Sequence, residues 1–188
     1  MITKIILFLL LTLNIAFSAQ LNIEPVYGVE RSYQKNPEPG SYRTETFYGV
    51  RGTYGFDRIA GELELNQSNN SFTTGETKSE TETQKALLGA RLVPFAAKFY
   101  SIYLRGGVRA QKINRTLTTN GETVNDNEAL TFDPYAGSGL TLNLAGILSL
   151  NTSATLVYNK NAPSSEQYDT RYTFSVTFKF GSQNVASF

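Results

Sequence analysis

The stretch from Arg171 to Phe180 reads R-Y-T-F-S-V-T-F-K-F. Successive side chains of a β-strand point to opposite sides. Tyr172, Phe174, Val176, Phe178 and Phe180 therefore share one face, and Thr173, Ser175, Thr177 and Lys179 the other. Working back along the chain, the same period of two recurs in seven earlier segments. They run over about 21–33, 42–56, 58–66, 83–93, 99–115, 129–144 and 147–160. The third alternates most cleanly: Ile59, Gly61, Leu63 and Leu65 oppose Ala60, Glu62, Glu64 and Asn66. In each segment one face is aliphatic and aromatic, and the other is small, polar or charged.

The links between segments alternate in character. Asp57, Pro94–Lys98 and Ala145-Gly146 are short. Gln34–Ser41, Gln67–Glu82, Thr116–Glu128 and Asn161–Tyr168 are longer and rich in Asn, Ser, Thr, Gly, Pro and charge, as loops are. Short turns at one end and long loops at the other predict an all-β fold, a transmembrane antiparallel up-and-down barrel of eight strands. The termini and short turns would then face the periplasm and the long loops the exterior. Pro134 lies inside a segment and lacks a ladder donor, which predicts a bulge or break there.

The first residues read as a secretory signal. Lys4 supplies a charge, Ile5 to Leu13 an apolar run, and Ala16-Phe17-Ser18 a cleavage signature. Cleavage after Ser18 fits best, with Ala19 as the alternative. The run is far short of the roughly 20 residues of a spanning helix. The domains expected are a signal peptide over 1–18 and a barrel over 19–188. The absence of Cys excludes a lipoprotein anchor, disulfides and thiolate metal sites, and points to a bacterial envelope. Removing Lys4 with the signal leaves equal numbers of acidic and basic residues. No basic excess exists to attract nucleic acid.

A soluble barrel would turn its apolar face inward, and three features oppose that. Gly28, Gly49, Gly89, Gly107, Gly137 and Gly139 all lie on the polar face, as a narrow interior requires. The charges on that face balance by depth. Glu24, Arg51, Glu62, Glu64, Arg91 and Arg105 form a layer near the short turns, and Glu30, Glu45, Lys85, Arg109 and Asp133 a layer above it. Buried charges must be paired, and Arg suits multidentate pairing. Aromatics also cluster at both strand ends. Phe56, Phe95, Phe99, Tyr100 and Phe180 lie by the short turns, and Tyr33, Tyr42, Phe72, Tyr158 and Tyr168 toward the loops. Girdles of this kind mark membrane interfaces. The last two segments bring almost no charge to the polar face, so the ion pairs are expected to lean toward the first six. Lys179 is expected to act where the last strand meets Glu24 and Glu30.

With its strand count, its turn and loop asymmetry and the segment from Tyr48 to Phe56, Y-G-V-R-G-T-Y-G-F, the chain resembles the small eight-stranded outer-membrane barrels of the OmpA/OmpX-like group. The resemblance covers essentially all of the chain after the signal. It implies a protein of the outer membrane of a Gram-negative bacterium, exported by the Sec pathway and inserted by the barrel-assembly machinery. Outer-membrane lipids and lipopolysaccharide would surround a monomer, and an extracellular ligand would meet its loops. The C-terminal peptidoglycan-binding domain that many OmpA-type proteins carry is not expected here. The family closes its last strand with an aromatic residue, a role open to Phe180 or Phe188, with the strand carrying Phe178 and Phe180 favoured.

No His is present, and the membrane-barrel lipases, deacylases and acyltransferases depend on one. Glu62 and Glu64 lie among arginines, which suits an electrostatic plug better than acid–base work. No phosphate loop, nucleophile motif or metal-ligand cluster is evident. The expectation is a non-enzymatic barrel without cofactor or metal, with a structural and surface-interaction role. A narrow porin-like pore gated by the charged layers is the alternative.

Overall fold

The computed structural model describes residues 19–34, 41–74, 77–119, 122–145, 147–160, 162–163 and 167–180. The signal segment, Phe188 and the side chain of Phe72 lie outside the described residues. The elements are β1 (Gln20–Gln34), β2 (Ser41–Gly55), β3 (Ile59–Thr74), β4 (Thr77–Ala96), β5 (Tyr100–Thr119), β6 (Glu122–Asn127), β7 (Thr131–Ala145), β8 (Leu148–Tyr158) and β9 (Tyr168–Phe180). All pairings are antiparallel. β1 pairs with β2 on one side and β9 on the other, and β4 with β5 closes the ring. Eight strands form the barrel. β6 pairs with the loop-side end of β5.

Directly paired residues trace a path around the wall: Leu21, Tyr54, Gly61, Ala90, Gly106, Ala136, Leu156, Thr170 and then Arg31. The path returns to β1 ten residues from its start, so the barrel has a shear of ten. Ten residues at ~3.3 Å each, set against eight strands ~4.8 Å apart, tilt the strands by about 40°. A barrel of eight strands with this stagger has a narrow interior.

The alternation places the faces as the period of two requires. On β9, Tyr172, Phe174, Phe178 and Phe180 are exposed outward, while Thr173, Ser175 and Thr177 are buried. From Phe180 to Tyr168 the outward aromatics span about 40 Å along the strand, or ~30 Å along the barrel axis at this tilt, matching a bilayer's hydrocarbon core. Cross-strand ring pairs mark both ends. Phe95 packs on Tyr100 at 5.6 Å near the short turns, and Tyr33 on Tyr42 at 5.5 Å and Tyr158 on Tyr168 at 5.9 Å near the loops. Phe56, Phe99 and Phe180 are exposed at the short-turn end.

Two expectations need correction. Pro134 pairs with Val108 in unbroken register. Asn143 N donates to Phe99 O, so the odd residues of β7 bond β5 and Pro134 faces β8. It lies one residue past the last β7–β8 pair, Tyr135 with Val157, where no donor is required. The break occurs instead in the β1–β9 ladder, which lacks pairs between Ile23–Phe178 and Val26–Ser175. There Pro25 turns its missing donor toward Val176. Register shifts fall between Leu92 and Phe95 and between Asn143 and Ala145. The second correction concerns the long links. β3 and β4 pair out to Thr74 and Thr77, and β5 pairs with β6. Much of Gln67–Glu82 and Thr116–Glu128 is thus strand, polar on its outward face and mostly polar on the other, where Leu117 pairs with Val124.

Candidate functional site: the charged interior

The inward positions of the barrel carry a network of buried ion pairs. Near the short turns, Arg51 meets Glu24 at 3.1 Å and Glu64 at 2.7 Å, with Glu62 at 3.9 Å. Arg91 joins Glu24 at 3.0 Å and Glu62 at 3.1 Å. Arg105 bridges Glu62 and Glu64, the latter at 3.1 Å. Toward the loops, Lys85 meets Glu30 at 2.9 Å, and Arg109 meets Glu30 at 2.8 Å, Asp133 at 2.9 Å and Asp169 at 3.4 Å. Glu45 is buried beside them and accepts from Ser68 Oγ at 3.1 Å.

The two layers are joined by Arg171, which pairs with Glu64 below and lies 3.7 Å from Glu30 above. Among the described residues the network holds six carboxylates and six cations: Glu24, Glu30, Glu62, Glu64, Asp133 and Asp169 with Arg51, Lys85, Arg91, Arg105, Arg109 and Arg171. Arg171 and Asp169 correct the expectation that the last strands are uncharged inside. Their signal is in the sequence: both share the odd parity of Thr173 and Ser175. Lys179 forms no ion pair with Glu24 or Glu30; its Nζ donates to Asn143 Oδ1 at 2.9 Å.

Three arginines each lie over an aromatic ring, and each ring lies over a glycine. Arg171 sits 3.9 Å above Phe47, Arg91 4.3 Å above Tyr103, and Arg105 5.2 Å above Tyr135. A Cβ on Gly28 would come within 2.4 Å of the Phe47 ring, one on Gly139 within 2.3 Å of the Tyr103 ring, and one on Gly89 within 2.4 Å of Tyr135 Oη. Glycine thus opens the space in which the ring lies, and the ring face meets the guanidinium. Phe47 was not singled out by the sequence reading, because an aromatic on a polar face breaks the expected pattern.

Apart from Asp169 and Arg171, β8 and β9 line the opposite wall mainly with small polar residues. Asn151 donates to Thr177, Ser153 and Thr173 share a hydrogen bond at 2.5 Å, and Ser175 Oγ donates to Glu24 Oε2 at 3.1 Å. Long side chains from β2, β3, β4 and β5 reach across to this shallow wall. At the loop end Asp169 accepts from Tyr33 N at 3.0 Å and from Asn159 Nδ2 at 3.1 Å, tying β1, β9 and the end of β8 together. No group of three or more acidic residues suited to hold a metal occurs among the described residues.

No protein-family model and no curated protein matches the sequence. Solved structures match over nearly the whole barrel. Ail, the attachment invasion locus protein of Yersinia pestis, is 12% identical with a TM-score of 0.59, covering 87% of this chain and 99% of that one. Ail is also known in complex with the heparin analogue sucrose octasulfate. Neisserial surface protein A is 9% identical with a TM-score of 0.55, over 88% of this chain and 97% of that one. A major outer membrane protein of Thermus thermophilus is 10% identical with a TM-score of 0.53, over 87% and 100%. The chain therefore has the fold of the small transmembrane outer-membrane β-barrels.

Proposed function

We propose that the protein is an integral outer-membrane barrel with a plugged interior, acting through stability of the envelope and through contacts made by its exterior loops. The observation that carries this reading is the pairing of an outward aromatic face with an inward charge network. Charges placed inside a closed wall are stabilised by one another, so the outside is free to be apolar. A leading signal segment removed after Ser18 or Ala19 and export by the Sec route belong to the same reading. So do insertion by the barrel-assembly machinery, with Phe180 at the end of the last strand, and a monomeric, non-enzymatic protein. The β3–β4 and β5–β6 hairpins extend past the charged layers on the loop side and offer the surface that meets an extracellular ligand.

The test is planar-bilayer conductance of the purified protein. The expected outcome is no stable opening. Stable openings that change when Arg51, Arg91 or Arg105 is neutralised would replace the plug with a gated pore. A cavity of about 230 Å³ at the short-turn end, with Glu24 and Arg91 in its lining, gives that second reading its entry.

A further inference from the structure

The outward wall is not uniform around the barrel. On β9 the outward aromatics continue to Tyr168. On β3 the apolar face ends at Leu65, and on β4 at Ala86, with Gln67 and Gln84 at the next outward positions. Directly opposite Gln84 on β5 stands Lys112. These residues border a groove of about 630 Å³ on the outer surface, floored by Ala86 and Ala110 and edged by Tyr48, Val50 and Leu130. The small side chains of the two alanines create the depression.

Three described strand positions turn a cation outward. Arg31 lies over the Tyr42 ring at 4.7 Å, and Lys78 pairs with Glu80 at 2.5 Å. Lys112 makes no ion pair with any described residue and stands at the edge of the apolar wall. An ammonium beside hydrocarbon is stabilised by reaching the interface or by meeting an anion. The neighbouring carboxamides are oriented. Gln67 Nε2 donates to Tyr48 Oη at 2.6 Å, and Gln84 Nε2 donates to Glu82 Oε1 at 3.0 Å. Each carbonyl oxygen is left to accept from a sugar hydroxyl or an amide N–H. Glu82 is engaged by Gln84 on the loop side.

We propose that this groove binds one phosphorylated glycolipid of the outer leaflet, with Lys112 on its phosphate and an acyl chain laid over Ala86 and Ala110. The inference rests on the outer-membrane reading above. The apolar floor suits the chain, the lone ammonium suits a phosphate as a charge-assisted partner, and the carboxamide oxygens favour a sugar headgroup over a glycerol one.

The experiment is native mass spectrometry of the full chain released from detergent with equal amounts of lipid A and phosphatidylglycerol. Insertion is followed separately by protease protection in phosphatidylglycerol vesicles. One retained lipid A is expected, in preference to phosphatidylglycerol. Lys112→Ala and Ala110→Phe should each lower retention by about tenfold, the scale of one lost charge-assisted contact. Lys112→Arg should keep it, and Lys78→Ala should not affect it. Equal retention of phosphatidylglycerol, or undiminished lipid A on Lys112→Ala, overturns the site. A chain that inserts yet retains no lipid A overturns the site alone. A chain that fails to insert overturns the membrane reading with it.

Discussion

Glu64 is the residue on which most of the lower layer converges. It meets Arg51, Arg105 and Arg171 and is 0% exposed. Removing one member of a buried pair leaves the others charged and unpaired. Glu64→Ala should therefore destabilise the barrel by about 3–5 kcal/mol, read as a shift in the urea midpoint by circular dichroism in detergent. The exposed Lys78–Glu80 pair offers the contrast, and Lys78→Ala should cost under ~1 kcal/mol. Gly89 tests the ring-over-glycine arrangement. An added methyl meets Tyr135 Oη and, at 2.2 Å, Gly106 O, so Gly89→Ala should cost about 1–3 kcal/mol by overpacking. Much of this was legible from parity alone. Glu24, Arg51, Glu62, Glu64, Arg91 and Arg105 all fall on the inward set once the strands are phased. Arg171 was passed over because it stood at the first position of its segment, although the same parity applies to it. The stacking of Arg171 on Phe47 was not legible, because it joins β9 to β2 over the intervening β1, where Gly28 leaves the space.

Strand β1 carries the one pairing gap within the barrel's closing ladder, at Pro25 opposite Val176. Pro25→Val supplies the missing donor, and a net ladder bond contributes about 0.5–1.5 kcal/mol. Hydrogen exchange should show the new amide protected as its neighbours on β1 are; rapid exchange there would mean that the gap has another cause. The hairpin extensions follow a different rule. Asn69, Glu80, Glu82, Asn114, Thr116 and Asn125 continue the outward face as a polar one, and Ser68, Thr81 and Thr83 continue the inward face. Alternation of hydrophobicity is then lost, and the sequence reads as loop although the ladder continues. β6 is exposed along its whole length, so replacing the outer part of the β5–β6 hairpin, from Leu117 to Val124, by a short turn should leave the unfolding free energy within ~0.5 kcal/mol.

At the scale of the whole molecule, the inside of the barrel is polar and the outside apolar, the reverse of a soluble protein. Salt distinguishes the two kinds of charge. Exposed pairs are screened beyond a Debye length of roughly 10 Å at 0.1 M, whereas buried pairs are screened far less. With the carboxylates of the network paired to buried cations, the unfolding midpoint should hold steady from low to high salt in detergent. A midpoint that falls with salt would show that the network is open to water.

The ring closes by pairing β1 with β9, the first and last described strands. No subset of the chain can therefore complete it. A nascent or truncated chain lacking β9 exposes two raw sheet edges, the β1 side and the β8 side, and raw edges recruit other chains. It also lacks Arg171, so Glu64 and Glu30 lose the cation they share. Pairings between distant ends are slow to form, and the missing donor at Pro25 weakens this one further. The hazard of aggregation is thus concentrated in the interval before the last strand arrives, and a protein of this build depends on being held apart from its own copies until then.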